Sequence, residues 1–267
     1  MPYATVNGHA LHYTDTAKAA QSRGEHRIPI VMVHGLGSSQ DFYLPVIAEL
    51  PNYRCIAMDT YGAARSKSQG EDVTIAQLGE DVIGLMNHLN IPKAVLVGHS
   101  MAGEMICVVA AAHSDRVAGI VCIGPVNPSS VSPQAFKTRI DTVMVEGMEP
   151  LADAIPYAAT GSKSTPLHHA FIRELILSQD SRSYASHCQA ILTMQEPSGG
   201  FEKVQCPALI LAGEEDKSAP LEGCRYILDH LGSTRKMLKV MNGVGHWHCI
   251  EAGQEVAQAV VEFCDSF

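Results

Sequence analysis

A serine hydroxyl is a poor nucleophile until a base removes its proton, and that base needs an acid to fix its tautomer and balance its transient charge. This 267-residue chain holds one residue of each kind where apolar runs end. Lys93-Ala-Val-Leu-Val leads directly into Gly98-His99-Ser100-Met101-Ala102-Gly103, and helix formers follow with no loop between. Ser100 must therefore stand on a tight strand-to-helix turn, the place for a nucleophile. Asp216 lies in Gly213-Glu-Glu-Asp216 after the run Pro207-Ala-Leu-Ile-Leu-Ala212, and His246 lies in Gly245-His246-Trp247-His248. In an open parallel sheet reactive groups gather beyond the carboxyl ends of strands, so Ser100, Asp216 and His246 are the candidate nucleophile, acid and base. Glu215 is the alternative acid and His248 the alternative base, the position after Gly245 favouring His246.

Acyl transfer also needs donors already aimed at the oxyanion. His34-Gly35-Leu36-Gly37 ends the apolar run Pro29-Ile-Val-Met-Val33, and the candidate oxyanion hole is the backbone N–H pair of Leu36 and Met101. Gly35 lets that loop fold back close to a substrate, and His99 and Trp247 complete the candidate substrate-binding set. Trp247, the one tryptophan, also suits packing beside the base. His34 reads as a brace for its loop, and Asp59 and Arg65 as loop ties near the site. His246-Trp-His248-Cys249 lacks a second Cys/His pair at ligand spacing, so neither a metal nor a cofactor is expected.

The elements that must position these residues are readable from periodicity. Tyr3 to Asp15 alternates around Asn7-Gly8, predicting an antiparallel hairpin, and residues 16–27 read as a polar loop. Ser39 caps a helix predicted to run to Leu50, Tyr53 to Met58 reads as a buried strand, and Thr74 opens an amphipathic helix to Leu89. Val117 to Gly124 is a further strand, after which the alternation stops for about eighty residues. Helical periodicity there covers 132–145, 149–158, 166–177 and 181–194. The sheet pattern resumes at Pro207, with a helix over 221–231, a strand over 236–241 and a closing helix over 254–263. The expected architecture is α/β: a mostly parallel eight-stranded sheet flanked by helices, formed by 1–125 and 206–267, with a helical cap of 126–205 inserted after the sixth strand.

Composition bounds the partners. Net charge is −9 with Lys and Arg scattered, which excludes a nucleic-acid or anionic-membrane surface and points to a small-molecule substrate. Eight cysteines without close pairs read as reduced core thiols, and the first residues have neither a basic nor an apolar leader segment. The expectation is a cytoplasmic monomer or homodimer.

These motifs resemble the α/β-hydrolase superfamily over nearly the whole chain. His34-Gly35-Leu36-Gly37 resembles its oxyanion loop, Asp59-x-x-Gly62-x-x-x-Ser66 its second-loop signature and Gly98-His-Ser100 its nucleophile elbow. Gly213-x-x-Asp216 with Pro220 is similar to its acid site, and Gly245-His246 with Glu251 to its histidine segment. The elbow departs from Gly-x-Ser-x-Gly at Ala102, and the second loop carries Ala64 where a glycine is usual. The segments 139–152 and 184–191 resemble the cap of 3-oxoadipate enol-lactonases and their esterase relatives, which implies an acidic substrate under a basic cap. Lys137, Arg139, Lys163, Arg173 and Arg182 form no cluster in the sequence. The resemblance implies a serine hydrolase that cleaves a small carboxylic ester or lactone through an acyl-enzyme. Its rivals on the same residues are a carbon-carbon bond hydrolase, a thioesterase and a slow-turnover ligand receptor.

Overall fold

The hairpin forms because Asn7 and Gly8 accept backbone angles that other residues resist. Strands β1 (Tyr3–Val6) and β2 (His9–Asp15) pair antiparallel across a turn with φ of 50° and 89° at those residues, the left-handed values that suit the twist of a two-residue hairpin. The computed structural model describes residues 2–17 and 27–266, and most of the predicted 16–27 loop lies outside them.

Six further strands complete one sheet: β3 (Ile30–Val33), β4 (Cys55–Met58), β5 (Ala94–His99), β6 (Val117–Ile123), β7 (Ala208–Gly213) and β8 (Lys236–Met241). Their order is β1-β2-β4-β3-β5-β6-β7-β8. β2 meets β4 antiparallel, and every pair from β4 onward is parallel. β3, β4, β5 and β7 are buried along their whole length, the state their unbroken apolar runs predict.

Alternate residues of each strand serve opposite faces. Val31 and Val33 join the core that holds Leu78, Val82 and Met105 from helices α2 (Ile75–His88) and α3 (Met101–Ala112), together with Ile227 of α8 (Leu221–His230). Ile30 and Met32 join the opposite core with Phe42, with Val46 of α1 (Leu44–Ile47) and with Val256 of α10 (Gly253–Cys264). The helix predicted from Ser39 to Leu50 is broken. Ser39 does cap a turn, accepting from Asp41 N–H, but that turn is a 3₁₀ segment, Gln40–Tyr43. Pro45 lacks the N–H that would continue it, and it starts α1 as a separate helix.

Between β6 and β7 lie four helices: α4 (Pro133–Glu146), α5 (Glu149–Ala158), α6 (Pro166–Leu177) and α7 (Ser181–Leu192). Ser132, Thr165 and Asp180 cap α4, α6 and α7 with their side chains. Buried Val143, Ala152, Ile172, Ile176 and Tyr184 join the core on the Ile30 face, which ties these helices to the sheet. All eight cysteines are free thiols. No helix among the described residues is long and apolar enough to cross a membrane.

Candidate active site

The turn between β5 and α3 is as tight as its sequence requires. Ser100 holds φ 58° and ψ −120°, a strained conformation for a residue with a side chain. A Cβ at Gly98 would meet Ala102 O at 2.2 Å, and one at Gly103 would meet Pro125 Cβ at 2.8 Å. Glycine is needed at those two close approaches, and the methyl of Ala102 between them is accommodated with no exposure. The Ser100 backbone is fixed from both sides, its N–H donating to Ile123 O at 2.9 Å and its carbonyl accepting from Gly103 N–H at 2.9 Å.

Three groups that the sequence singles out converge here. Ser100 Oγ lies 3.0 Å from His246 Nε2, and His246 Nδ1 lies 2.8 Å from Asp216 Oδ2. The order Ser–His–Asp sets the roles: Asp216 accepts from Nδ1–H, so Nε2 is left to accept from the serine hydroxyl. Asp216 Oδ1 accepts from the N–H groups of Ser218 and Ala219, both at 2.8 Å. Burial works to raise the Asp216 carboxyl, but the charge and hydrogen bond of His246, with smaller help from His248 and Ala219 N–H, hold it below the ordinary range. Glu215 turns away and accepts from Ser162 N–H and Oγ–H. His248 reaches neither Ser100 nor Asp216 by a hydrogen bond; its Nδ1 lies 2.9 Å from the main-chain carbonyl of His246.

The loop after β3 lies against Ser100. A Cβ on Gly35 would come within 2.8 Å of Ser100 Cβ and of His99 Nδ1, so only glycine fits. His34 accepts from Thr60 N–H on Nε2 and donates from Nδ1 to Gly35 O, at 3.1 and 2.7 Å. Burial pushes its pKa down, and it stands as a neutral brace inside the loop. The N–H groups of Leu36 and Met101 make no main-chain hydrogen bond among the described residues. Asp59 is fully buried, accepting from Gln40 N–H and Arg65 N–H, while the Arg65 guanidinium pairs with Asp41.

Ser100 and His246 open into a cavity of about 250 Å³ whose walls include Leu36, Phe136, Ile155, Ile176, Tyr184 and Trp247. Its charged lining residues are Arg139 and Lys217, with no carboxylate. Of the five cap cations noted in the sequence, Arg139 alone lines this cavity; Lys163 and Arg173 pair with Glu255 and Asp153 at the surface. Two residues expected at the substrate, His99 and Gly35, do not line this cavity. His99 is 2% exposed and does not line the cavity, because its Nε2 donates to His246 O at 2.7 Å and its ring stacks on Phe42. Gly35 lies behind Leu36 and Gly37, which do line it. Trp247 lines the cavity and is nearly buried. Sequence reasoning missed the contributions of Tyr184, Lys217 and Ser218, which arrive from a helix and a turn whose facing direction no local pattern reveals.

The family model for the alpha/beta hydrolase fold matches residues 28–149. An enol-lactonase from Burkholderia xenovorans LB400 superposes with a TM-score of 0.88 at 28% identity, covering 98% of this chain and 99% of that one. The chain has the α/β-hydrolase fold. Among the relatives of this α/β-hydrolase, 3-oxoadipate enol-lactonase 2 of Acinetobacter baylyi is 27% identical over 235 residues, 85% of this chain and 84% of the relative. A candidate carbamate hydrolase of Caulobacter sp. strain K31 is 25% identical over 245 residues, 89% of this chain and 90% of the relative. These relatives and structural neighbours are hydrolases, and this chain is an enzyme of the same fold.

Proposed function

We propose that this hydrolase cleaves a small carboxylic ester or lactone through an acyl-enzyme on Ser100, in a core formed by 1–125 and 206–267 under a cap formed by 126–205. The observation that carries the reading is the line Ser100 Oγ, His246, Asp216, with contacts of 3.0 and 2.8 Å at the floor of the cavity. His246 Nε2 takes the hydroxyl proton as Oγ attacks the carbonyl carbon, and Asp216 balances the imidazolium. The N–H groups of Leu36 and Met101 receive the oxyanion, each worth a few kcal/mol of barrier. Collapse breaks the bond to the leaving oxygen, which takes the proton from His246; from a lactone that oxygen stays attached as the end of a hydroxyacyl chain. Water, deprotonated by His246, then releases the acid and restores Ser100. The steps call for no metal or cofactor.

The cavity walls support a narrower substrate class. Two cations and no carboxylate line it, and Arg139 has no carboxylate within ion-pair distance among the described residues. A substrate with an anionic group remote from its ester carbonyl complements that lining, in keeping with the lactonase relative. A fluorophosphonate probe tests the nucleophile. Mass spectrometry is expected to place the adduct on Ser100, and Ser100→Ala is expected to lower kcat on activated esters by on the order of 10⁴–10⁶. Labelling elsewhere, or a Ser100→Ala enzyme that keeps its turnover, overturns the reading.

A further inference from the structure

One main-chain carbonyl in the site carries two imidazoles. His99 Nε2 lies 2.7 Å and His248 Nδ1 2.9 Å from the carbonyl oxygen of His246. A carbonyl only accepts, so each ring must carry its proton on the nitrogen that faces it. The other nitrogens, His99 Nδ1 and His248 Nε2, are buried without a partner among the described residues. Burial also keeps both rings neutral: it pushes His99 well below the ordinary histidine range, helped by the neighbouring histidines, and His248 down to about 4. Each imidazole therefore has a single N–H, and both spend it on the same oxygen. Leaving two ring nitrogens buried and unpaired is a standing cost that packing alone does not explain.

The connectivity says what the arrangement achieves. His99 immediately precedes Ser100, and His248 follows His246 by two residues. A Cβ on Gly124 would meet His248 Cε1 at 2.7 Å and Asp216 Oδ2 at 3.1 Å, so His248 packs on the same backbone as the acid. On its other side the His246 peptide donates its N–H to Ala159 O at 2.7 Å. We propose that His99 and His248 are positioning residues: as a pair of neutral donors they clamp the His246 carbonyl, tie the base to the nucleophile strand and hold its imidazole in line with Ser100. This rests on the proposed roles of Ser100 and His246. Neither clamp residue lines the cavity.

The test separates the donor from the ring. His99→Phe and His248→Leu remove the N–H and keep apolar bulk; His99→Gln and His248→Asn return an amide N–H near the position of the lost one. On an activated acetate ester, the Phe and Leu variants are expected to lose about 10–100-fold in kcat with KM within about threefold, since small misplacements of a reacting group act on kcat. Fluorophosphonate labelling of Ser100 is expected to slow in parallel, and the Gln and Asn variants to recover most of both rates. Wild-type kcat in the Phe and Leu variants overturns the clamp. So do Gln and Asn variants as slow as their apolar counterparts, which would leave the rings only a packing role. Failure of the underlying reading looks different, because it appears as retained turnover in Ser100→Ala.

Discussion

Glu104 sits one turn into the helix that follows Ser100, fully buried, with neither carboxyl oxygen hydrogen-bonded among the described residues. Burial pushes its pKa well above the ordinary 4.5, with a smaller contribution from Glu196, so it is held as a neutral acid. In the unfolded chain it ionises near its ordinary value. Below that pH both states are protonated and nothing is lost; above it only the unfolded state ionises, and stability falls as pH rises toward the folded pKa. Glu104→Met is therefore expected to stabilise the fold by about 1–3 kcal/mol at neutral pH, the cost of one unpartnered buried polar group. The gain in Tm should be larger at pH 8 than at pH 5, and an equal gain at both would show that ionisation is not involved. Asp216 has the opposite sign. Its depressed pKa contributes stability that is present above the unfolded value and lost as pH falls through the folded one. Its chemical role is tested separately by Asp216→Asn, expected to lower kcat by about 10⁴-fold through the wrong His246 tautomer while the fold persists. Ala64 is a third residue with a measurable cost. It holds φ 44°, where the superfamily pattern has glycine, and it pays the clash of Cβ with its own backbone.

At the scale of elements, one carboxylate joins the His246 loop to the inserted helices. Glu251, in the short helix α9 (His248–Glu251), accepts from Gly161 and Gly245 N–H on Oε2 at 2.6 and 3.0 Å, and from Trp247 N–H on Oε1 at 2.9 Å. Those amides flank His246 on both sides and anchor the segment between α5 and α6. A Cβ on Gly245 would meet Gly161 N at 2.4 Å, so the two backbones touch and glycine is required. Glu251→Ala leaves three amides without an acceptor and is expected to destabilise the fold by about 3–5 kcal/mol in urea unfolding. Proteolysis in the 159–163 segment should quicken with it; an unchanged urea midpoint would show that water replaces the carboxylate. How far such features could be read from the sequence follows from their range. The strand ends, the elbow and the caps are local, and Ser132, Thr165 and Asp180 cap helices within a residue or two of the predicted starts. A cap at Ser39 marks where a helix starts but not where Pro45 interrupts it, so the 39–50 helix is found in two pieces. The His99 contact to His246 O spans 147 positions and the His187 contact to Tyr61 O, which seats α7, spans 126, and neither leaves a periodic trace.

For the whole molecule, the proposed function divides chemistry and selection between two sets of elements. Ser100, Asp216 and His246 stand at the ends of β5, β7 and β8, whereas Phe136, Arg139, Ile155, Ile176 and Tyr184 reach the cavity from α4 to α7. Changes in the second set should alter which substrate binds and leave the reaction of Ser100 intact. Arg139 is the sharpest case. The net charge of −9 repels anions at long range, so an anionic substrate depends on local cations in the cavity. The guanidinium lies over the Phe136 ring at 5.2 Å and beside Tyr184, half-buried, where its charge is less screened than at an open surface. Arg139→Gln is expected to raise KM for a half-ester of a dicarboxylic acid by on the order of tenfold, the loss of one charge-assisted hydrogen bond. Its kcat, and both constants for a neutral ester of the same length, should stay within about twofold. High salt should narrow the difference between wild type and variant on the half-ester. If KM rises equally for the neutral ester, Arg139 holds the cavity wall in shape, and its charge does not select the substrate.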